Sequence, residues 1–417
     1  MKKTKIVSAL LIVAMFFCLP LAASAFEVGP FSIGGAMRVN YVIGDYVDSG
    51  GSDRLGRSSR SGSDGGTFAL DTFRINVDFE KDSWIGKAEY RFYPGYGPSN
   101  HDGYHFPHTG WMGYNFDNDS QIQVGLNRVP FGPTAYGISQ SFFFDQHYYV
   151  GLSDDMDLGV KYTLPLDGLT LDFAYYASDE GSHNGANFST DSVRYSYDVV
   201  DETDDGYEER HQVNLRAIYA LETGAVNTDL GVSLQYGNLE SNGDQDDGDM
   251  MAASVHAVAT FGNFKLAPQL TWYEYDVDED QPLGTDKLVQ MGAFDFPTLV
   301  AAEAYIPAVS LSYTLNTPQV DWLDYVVPYV EYSTIEKAED DFNDSEMFVA
   351  GAAWANGGWY IYTDLAYSNG NDFIGNESTL AGDPAFNPAP GWSSNRLGVN
   401  PEQEWEYRFN INFGYYF

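Results

Sequence analysis

The last segment of the chain constrains its fold more than any other feature. Trp405, Tyr407, Phe409, Ile411, Phe413, Tyr415 and Phe417 alternate with Glu404, Glu406, Arg408, Asn410, Asn412, Gly414 and Tyr416. A period of two places successive side chains on opposite faces of a strand, so one face is apolar and aromatic and the other is polar. The same pattern runs through Thr72 to Glu80, where Phe73, Ile75, Val77 and Phe79 alternate with Arg74, Asn76, Asp78 and Glu80. It recurs from Trp84 to Tyr93, with Lys87, Glu89, Arg91 and Tyr93 on the polar face. Only Lys81-Asp82-Ser83 separates these two segments, which predicts a tight hairpin with Arg74 roughly opposite Tyr90 and beside Arg91.

Thirteen further segments of this kind fall near 31–43, 106–116, 121–129, 157–164, 169–177, 209–220, 228–237, 251–261, 264–275, 301–315, 322–333, 345–354 and 359–368, making sixteen with the three above. Short turns such as Asp117 to Ser120, Pro165 to Gly168, Gly262-Asn263 and Ala355 to Gly358 take turns with long polar stretches at 44–67, 94–105, 130–156, 178–208, 238–250, 276–300, 334–344 and 369–403. The expected fold class is therefore all-β: a transmembrane antiparallel β-barrel of about sixteen strands, with long extracellular loops and short periplasmic turns. An even strand count puts both ends of the barrel on the short-turn side.

Composition supports a membrane barrel. The 417 residues carry 60 acidic and 21 basic side chains, a net charge of −39 that argues against nucleic acid as a partner. Aromatic residues make up 16%, too many large apolar groups for a disordered chain. Lys2, Lys3 and Lys5, the apolar run Ile6 to Pro20 and the small residues Ala23-Ser24-Ala25 read as a secretory signal peptide over 1–25, leaving 26–417 as the barrel. The sole cysteine, Cys18, lies in that leader, so no disulfide is expected in the exported chain. No later segment has the roughly 18 uninterrupted apolar residues of a membrane helix, which leaves strands as the means of crossing.

A barrel of about sixteen strands is wide enough for water, and its inward faces hold the candidate functional residues. Arg38, Arg74 and Arg91 form a basic wall on the first strands, with Lys87 and Glu89 on the same face. The stretch 130–156 contains Asp145, Asp154 and Asp155 but no Lys or Arg. Its Phe142-Phe143-Phe144 and Tyr148-Tyr149 read as apolar anchors holding it to the wall, in preference to a stacking surface for solutes. Outward Trp359, Trp405 and Tyr407 read as interface girdles. His101, His105 and His108 have the spacing of metal ligands, but a strand or loop does not gather them on one face, so no metal site is assigned. The acidic runs 244–249 and 276–280 fail the EF-hand pattern. Neither a Gly-x-Ser-x-Gly nor a His-Glu-x-x-His occurs, and nothing points to an enzyme or a cofactor.

Over 26–417 the chain resembles the Gram-negative outer-membrane porin superfamily. The most specific element is Tyr407 to Phe417, which is similar to the terminal strand read by the outer-membrane assembly machinery, with Phe413, Tyr415 and Phe417 as the signal. Gly125-Leu126-Asn127-Arg128-Val129-Pro130-Phe131-Gly132 resembles the segment before the third loop of phosphate-selective porin-like families, though the lysine cluster and arginine ladder of those families have no counterpart here. The resemblance implies a passive channel for small hydrophilic solutes or ions, embedded among membrane lipid and lipopolysaccharide as a homotrimer. It also implies that 130–156 folds inward as a constriction loop, setting Asp145, Asp154 or Asp155 across from the arginines. The acidic loops add an expectation of mild cation preference. Two other readings of the same barrel are a surface-exposed binding or adhesion protein and a porin specific for phosphate or sugar.

Overall fold

The computed structural model describes residues 25–44, 66–93, 104–181, 194–201, 205–294, 296–340, 342–371, 374 and 405–417. All of the leader except Ala25 lies outside them, as does His101. The chain forms, in order, β1 (Phe26–Val28), β2 (Phe31–Gly44), β3 (Thr67–Lys81), β4 (Trp84–Tyr93), β5 (Tyr104–Asn115), β6 (Gln121–Arg128), β7 (Met156–Leu166), β8 (Leu169–Asp179) and β9 (Arg194–Val199). Then come β10 (Tyr207–Glu222), β11 (Asn227–Ser241), β12 (Gly248–Phe261), β13 (Phe264–Asp276), β14 (Leu288–Phe294), β15 (Phe296–Ala301) and β16 (Glu303–Tyr313). The last five are β17 (Leu315–Asn316), β18 (Tyr325–Lys337), β19 (Ser345–Asn356), β20 (Trp359–Asn369) and β21 (Glu406–Tyr416).

Sixteen of these strands close an antiparallel barrel, each paired with its neighbour in sequence and the last, β21, paired with β2. The outer short strand β1 lies along the start of β2, and β17 continues β16 alongside β18. The expected sixteen-strand barrel is the observed one. Closure matters in lipid because it leaves no edge with unpaired backbone groups. At the seam the Phe417 backbone exchanges two hydrogen bonds with Gly35, its carbonyl accepting at 2.8 Å and its amide donating at 3.0 Å. The tight turns are set by residues in the left-handed region, among them Asp82 at φ 55° and Gly262 at φ 60°; such turns match the twist of the strands they join.

Outward positions carry the apolar alternation. Phe73, Ile75, Phe173, Val232, Leu234 and Leu270 are all exposed, a surface that only lipid or another apolar partner can cover. Aromatic pairs mark both rims of that band, with Trp359 against Tyr415 at 4.9 Å near the short turns and Tyr367 stacked on Trp405 at 5.0 Å near the long loops. Trp359 and Trp405 are among the girdle positions expected from sequence.

The apolar core lies inside the barrel, at its loop end. Phe143, Tyr148, Tyr149, Tyr195, Tyr197 and Met291 belong to one buried cluster together with inward residues of the wall. Strands β9, β14 and β15 build a second, three-stranded sheet within this region. The sequence predicts plain loops at 178–208 and 276–300, so these strands are a departure from expectation. Its physical reason is burial on both faces: every residue of β9 is buried, so its alternation of Tyr195, Tyr197 and Val199 with Arg194, Ser196 and Asp198 does not sort into a wet side and an apolar side.

Candidate functional site in the barrel lumen

The connection from β6 to β7, residues 129–155, enters the barrel and is fastened to distant parts of its wall. Gly132 N donates to Ser233 Oγ on β11 at 3.1 Å, and the His147 ring meets Thr271 Oγ1 on β13 at 2.8 Å. On β18, Glu331 accepts from Ser139 Oγ at 2.7 Å and from Gln140 N at 2.5 Å, and Ser333 Oγ accepts from Gln146 N at 3.1 Å. On β20, Asp364 accepts from Phe142 N at 3.1 Å. The loop therefore satisfies its buried backbone donors with inward side chains of strands far from its own, an arrangement that fixes its path across the lumen. Phe143, Tyr148 and Tyr149 are buried against the wall as anchors, which agrees with the sequence reading of this aromatic run.

Facing this loop is a row of arginines. Arg74 on β3 pairs directly with Arg91 on β4, one residue away from the expected opposition to Tyr90. The difference comes from the turn, which is closed by a Lys81–Trp84 pair around only Asp82 and Ser83. Two guanidiniums so placed repel, and Glu89 resolves the conflict: its Oε1 lies 3.4 Å from Arg74 Nη1 and 2.5 Å from Arg91 Nε. Arg38 on β2 is matched in the same way by Asp71 on β3 at 2.7 Å. Aromatic rings cover the other faces: Arg91 lies 4.3 Å from the Tyr195 ring centre, Arg74 5.2 Å from that of Tyr416 and Arg38 5.8 Å from that of Phe142. Thus Arg38, Arg74, Glu89 and Arg91 lie on one wall. Lys87 stands apart toward the turn, half-buried and 3.6 Å from Asp78.

The three loop carboxylates go separate ways. Asp145 turns back into its own loop, accepting from His147 N at 2.8 Å and Ile138 N at 3.3 Å, with the His147 ring nitrogen at 2.7 Å. Asp154 pairs with Arg128 of β6 at 2.6 Å and accepts from the Tyr195 hydroxyl at 2.8 Å. Burial raises the Tyr195 hydroxyl well above its ordinary pKa, and the nearby Asp154 charge adds to this, so it remains a donor. Asp155 joins a group of buried acids near the start of β7. None of the three is hydrogen-bonded or ion-paired with Arg38, Arg74 or Arg91 among the described residues.

Other side chains of this site are Arg128, Tyr195, Glu331, Asp364 and Arg408, the last 5.1 Å from the Phe143 ring centre. Asp364 shares the inward parity of Tyr360 and Tyr362, so the alternation already points it into the lumen. What the alternation lacks is the knowledge that a loop would come to meet it. Of the described histidines in this segment, His105 bonds Tyr90 on the outer face at 2.8 Å, and His108, at the irregularity between β4 and β5, is buried 4.5 Å from the Tyr195 ring centre.

A closed barrel with an apolar exterior, a polar wall and an inwardly folded third loop defines a porin-like transmembrane protein of sixteen strands. Solved structures agree with that class. The outer membrane channel DcaP of Acinetobacter baumannii is similar over 94% of this chain and 100% of its own, with 10% identity and a TM-score of 0.55. OmpF of Salmonella typhi, in complex with daunomycin, is similar over 93% and 97%, with 14% identity and a TM-score of 0.55. The trimer form of Vibrio cholerae OmpT, an outer membrane protein, is similar over 94% and 100%, with 14% identity and a TM-score of 0.52. At such identities the likeness is one of fold: the chain has the sixteen-stranded barrel of Gram-negative outer-membrane porins. No family model matches the chain, and no curated protein matches it in sequence.

Proposed function

We propose that the protein is an outer-membrane porin through which small hydrophilic solutes or ions diffuse passively, with loop 129–155 and the arginine wall as its constriction. The observation that carries this reading is the loop tethered across the lumen from β11 to β20 beside Arg38, Arg74 and Arg91. A barrel that served only as an anchor for surface loops would have no need to fasten a loop inside itself with buried carboxylates. Selection at such a site is physical: width and lining charge decide passage, and no bond is made or broken. Because Asp71 pairs with Arg38 and Glu89 is shared by Arg74 and Arg91, the wall keeps about one uncompensated positive charge. The acidic excess of the chain then sets a mild cation preference.

The other expectations of the class belong to the same proposal. Phe413, Tyr415 and Phe417 lie on the outer face of the closing strand, where assembly machinery could read them before the seam forms. A homotrimer, with lipid and lipopolysaccharide around the remaining exterior, accounts for the apolar band. Planar bilayers provide the test of the central claim. The purified protein should give discrete conductance steps, smaller than those of a barrel without internal loops, and a salt gradient should give a reversal potential of cation-preferring sign. Arg74→Ala and Asp154→Asn should each move that potential. Absence of steps would remove the porin reading, and an unmoved potential in both variants would remove the constriction assignment.

A further inference from the structure

We propose a divalent-cation site, of the calcium class, at the long-loop end of the barrel, formed by Asp155, Asp157, Glu180 and Asp198. These four residues come from four places: the end of the lumen loop, the start of β7, the residue after β8, and the inner strand β9. One carboxylate oxygen from each lies within 4.8 Å of all the others, and all four residues are buried. Buried carboxylates repel one another and lose hydration, so they stay together only if a cation or protons compensate them.

Unsatisfied oxygens point to a cation. Asp155 Oδ1, Asp157 Oδ1 and Glu180 Oε2 are buried with no hydrogen-bond partner among the described residues. Their companion oxygens and neighbours are already in use: Glu180 Oε1 accepts from Tyr195 N at 3.0 Å and Ser196 N at 2.7 Å, and Asp157 Oδ2 accepts from Gln212 Nε2 at 3.1 Å. Glu180 and Asp157 are thus held in place, each with one oxygen left over. Arg194 serves the flank of the group, donating to Asp179 at 2.7 Å and Asp198 at 3.2 Å.

Four carboxylate oxygens are hard ligands, which exclude the thiophilic metals and favour calcium or magnesium. Size chooses between these two. Opposite ligands of one ion lie about 4.6–5.2 Å apart for calcium and about 4.0–4.2 Å for magnesium, twice the respective metal–oxygen distances. Oxygens within 4.8 Å of one another fall inside the calcium span, and four protein carboxylates suit calcium over magnesium, which usually keeps several waters and takes one or two carboxylates. A bound ion would join the lumen loop, the wall strands β7 and β8, and the inner sheet through β9, and so clasp the internal structure of the mouth.

The test is a calcium titration of the purified, detergent-solubilised barrel after chelator treatment, by isothermal calorimetry, with magnesium as the comparison. One saturable calcium site with Kd below about 1 mM is expected, the weak limit of natural extracellular calcium modules. Magnesium should bind at least tenfold more weakly, and Asp157→Asn and Glu180→Gln should each weaken calcium at least tenfold while retaining the heat-modifiable gel mobility of the folded barrel. No saturable site in the wild type overturns the proposal, and this arm does not depend on any variant folding. Saturable binding that both folded variants retain also overturns it, because the ion then sits on exposed loop acids. Should neither variant fold, Asp155→Asn takes their place under the same criterion.

Discussion

At the scale of single residues, the lumen shows charge neutralised in place. Glu89 is 7% exposed and holds both Arg74 and Arg91, so it is the side chain that lets two guanidiniums share adjacent strands. Glu89→Gln keeps the volume and removes the charge. Breaking a buried pair by removing one partner costs about 3–5 kcal/mol, and the exposure of Arg74 to the lumen places the loss toward the lower end. The expected outcome is a folded barrel of lower thermal stability, with a reversal potential displaced toward anions because two positive charges are now unmatched. A reversal potential equal to that of the wild type would show that these arginines do not face the permeating ion. Much of this wall was legible in the sequence: alternation alone brings Arg38, Arg74, Glu89 and Arg91 to one face. The partners were not, since a shift of one residue in the hairpin register decides whether Arg74 faces Tyr90 or Arg91. Asp145 was even less legible, because a carboxylate in a loop can point into its own turn, as this one does toward His147 and Ile138, and no periodicity records the choice.

At the scale of elements, the lumen loop is positioned by side chains of the wall. Glu331 accepts from Ser139 and Gln140 of the loop and from Ser310 of β16, and Asp364 accepts from Phe142 and from the Tyr329 hydroxyl. Hydrogen bonds to charged groups contribute about 1.5–3 kcal/mol each, so the two carboxylates are the strongest fasteners of 138–142. The double variant Glu331→Gln and Asp364→Asn should leave the barrel closed, because its ladder of backbone bonds does not involve these side chains. It should loosen the loop, giving noisier and larger conductance steps and faster proteolysis within 138–147. Steps of unchanged size and noise would assign the loop's position to its buried aromatic anchors instead. The inner sheet of β9, β14 and β15 belongs to this scale too. Its strands escaped the sequence reading because alternation reports a difference between two environments, and strands buried on both sides have none. Leu288 to Ala301 is in retrospect an apolar stretch too long for a solvated loop, interrupted mainly by Gln290, Gly292, Asp295, Pro297 and Thr298.

At the scale of the whole molecule, the barrel itself was almost fully legible, since each of its sixteen strands separates lipid from lumen and so writes its period into the sequence. The same separation bears on how a net charge of −39 is tolerated: most acids fall in the long connections between strands and not at lipid-facing strand positions, although Asp145, Asp154, Asp155, Glu180 and Asp198 are drawn into the barrel. This arrangement gives the cation preference a particular salt dependence. Charges at a mouth act on an approaching ion through solvent, over about 10 Å at 0.1 M salt and about 3 Å at 1 M. Charges lining a narrow, low-dielectric constriction are screened far less. Since Arg38 and Arg128 each have a carboxylate of their own and Glu89 serves both Arg74 and Arg91, these arginines keep about one unmatched positive charge, and the more numerous mouth acids dominate. Reversal potentials measured across a fixed tenfold gradient should therefore show clear cation preference when the mean concentration is near 0.1 M, and should fall toward the value set by ionic mobilities near 1 M. Neutralising part of the acidic connection, Asp244→Asn with Asp246→Asn and Asp247→Asn, should reduce the low-salt preference and leave the high-salt value unchanged. A preference that persists at 1 M would place the selecting charge inside the lumen, among groups such as Glu331 and Asp364, and would overturn the assignment to the mouth.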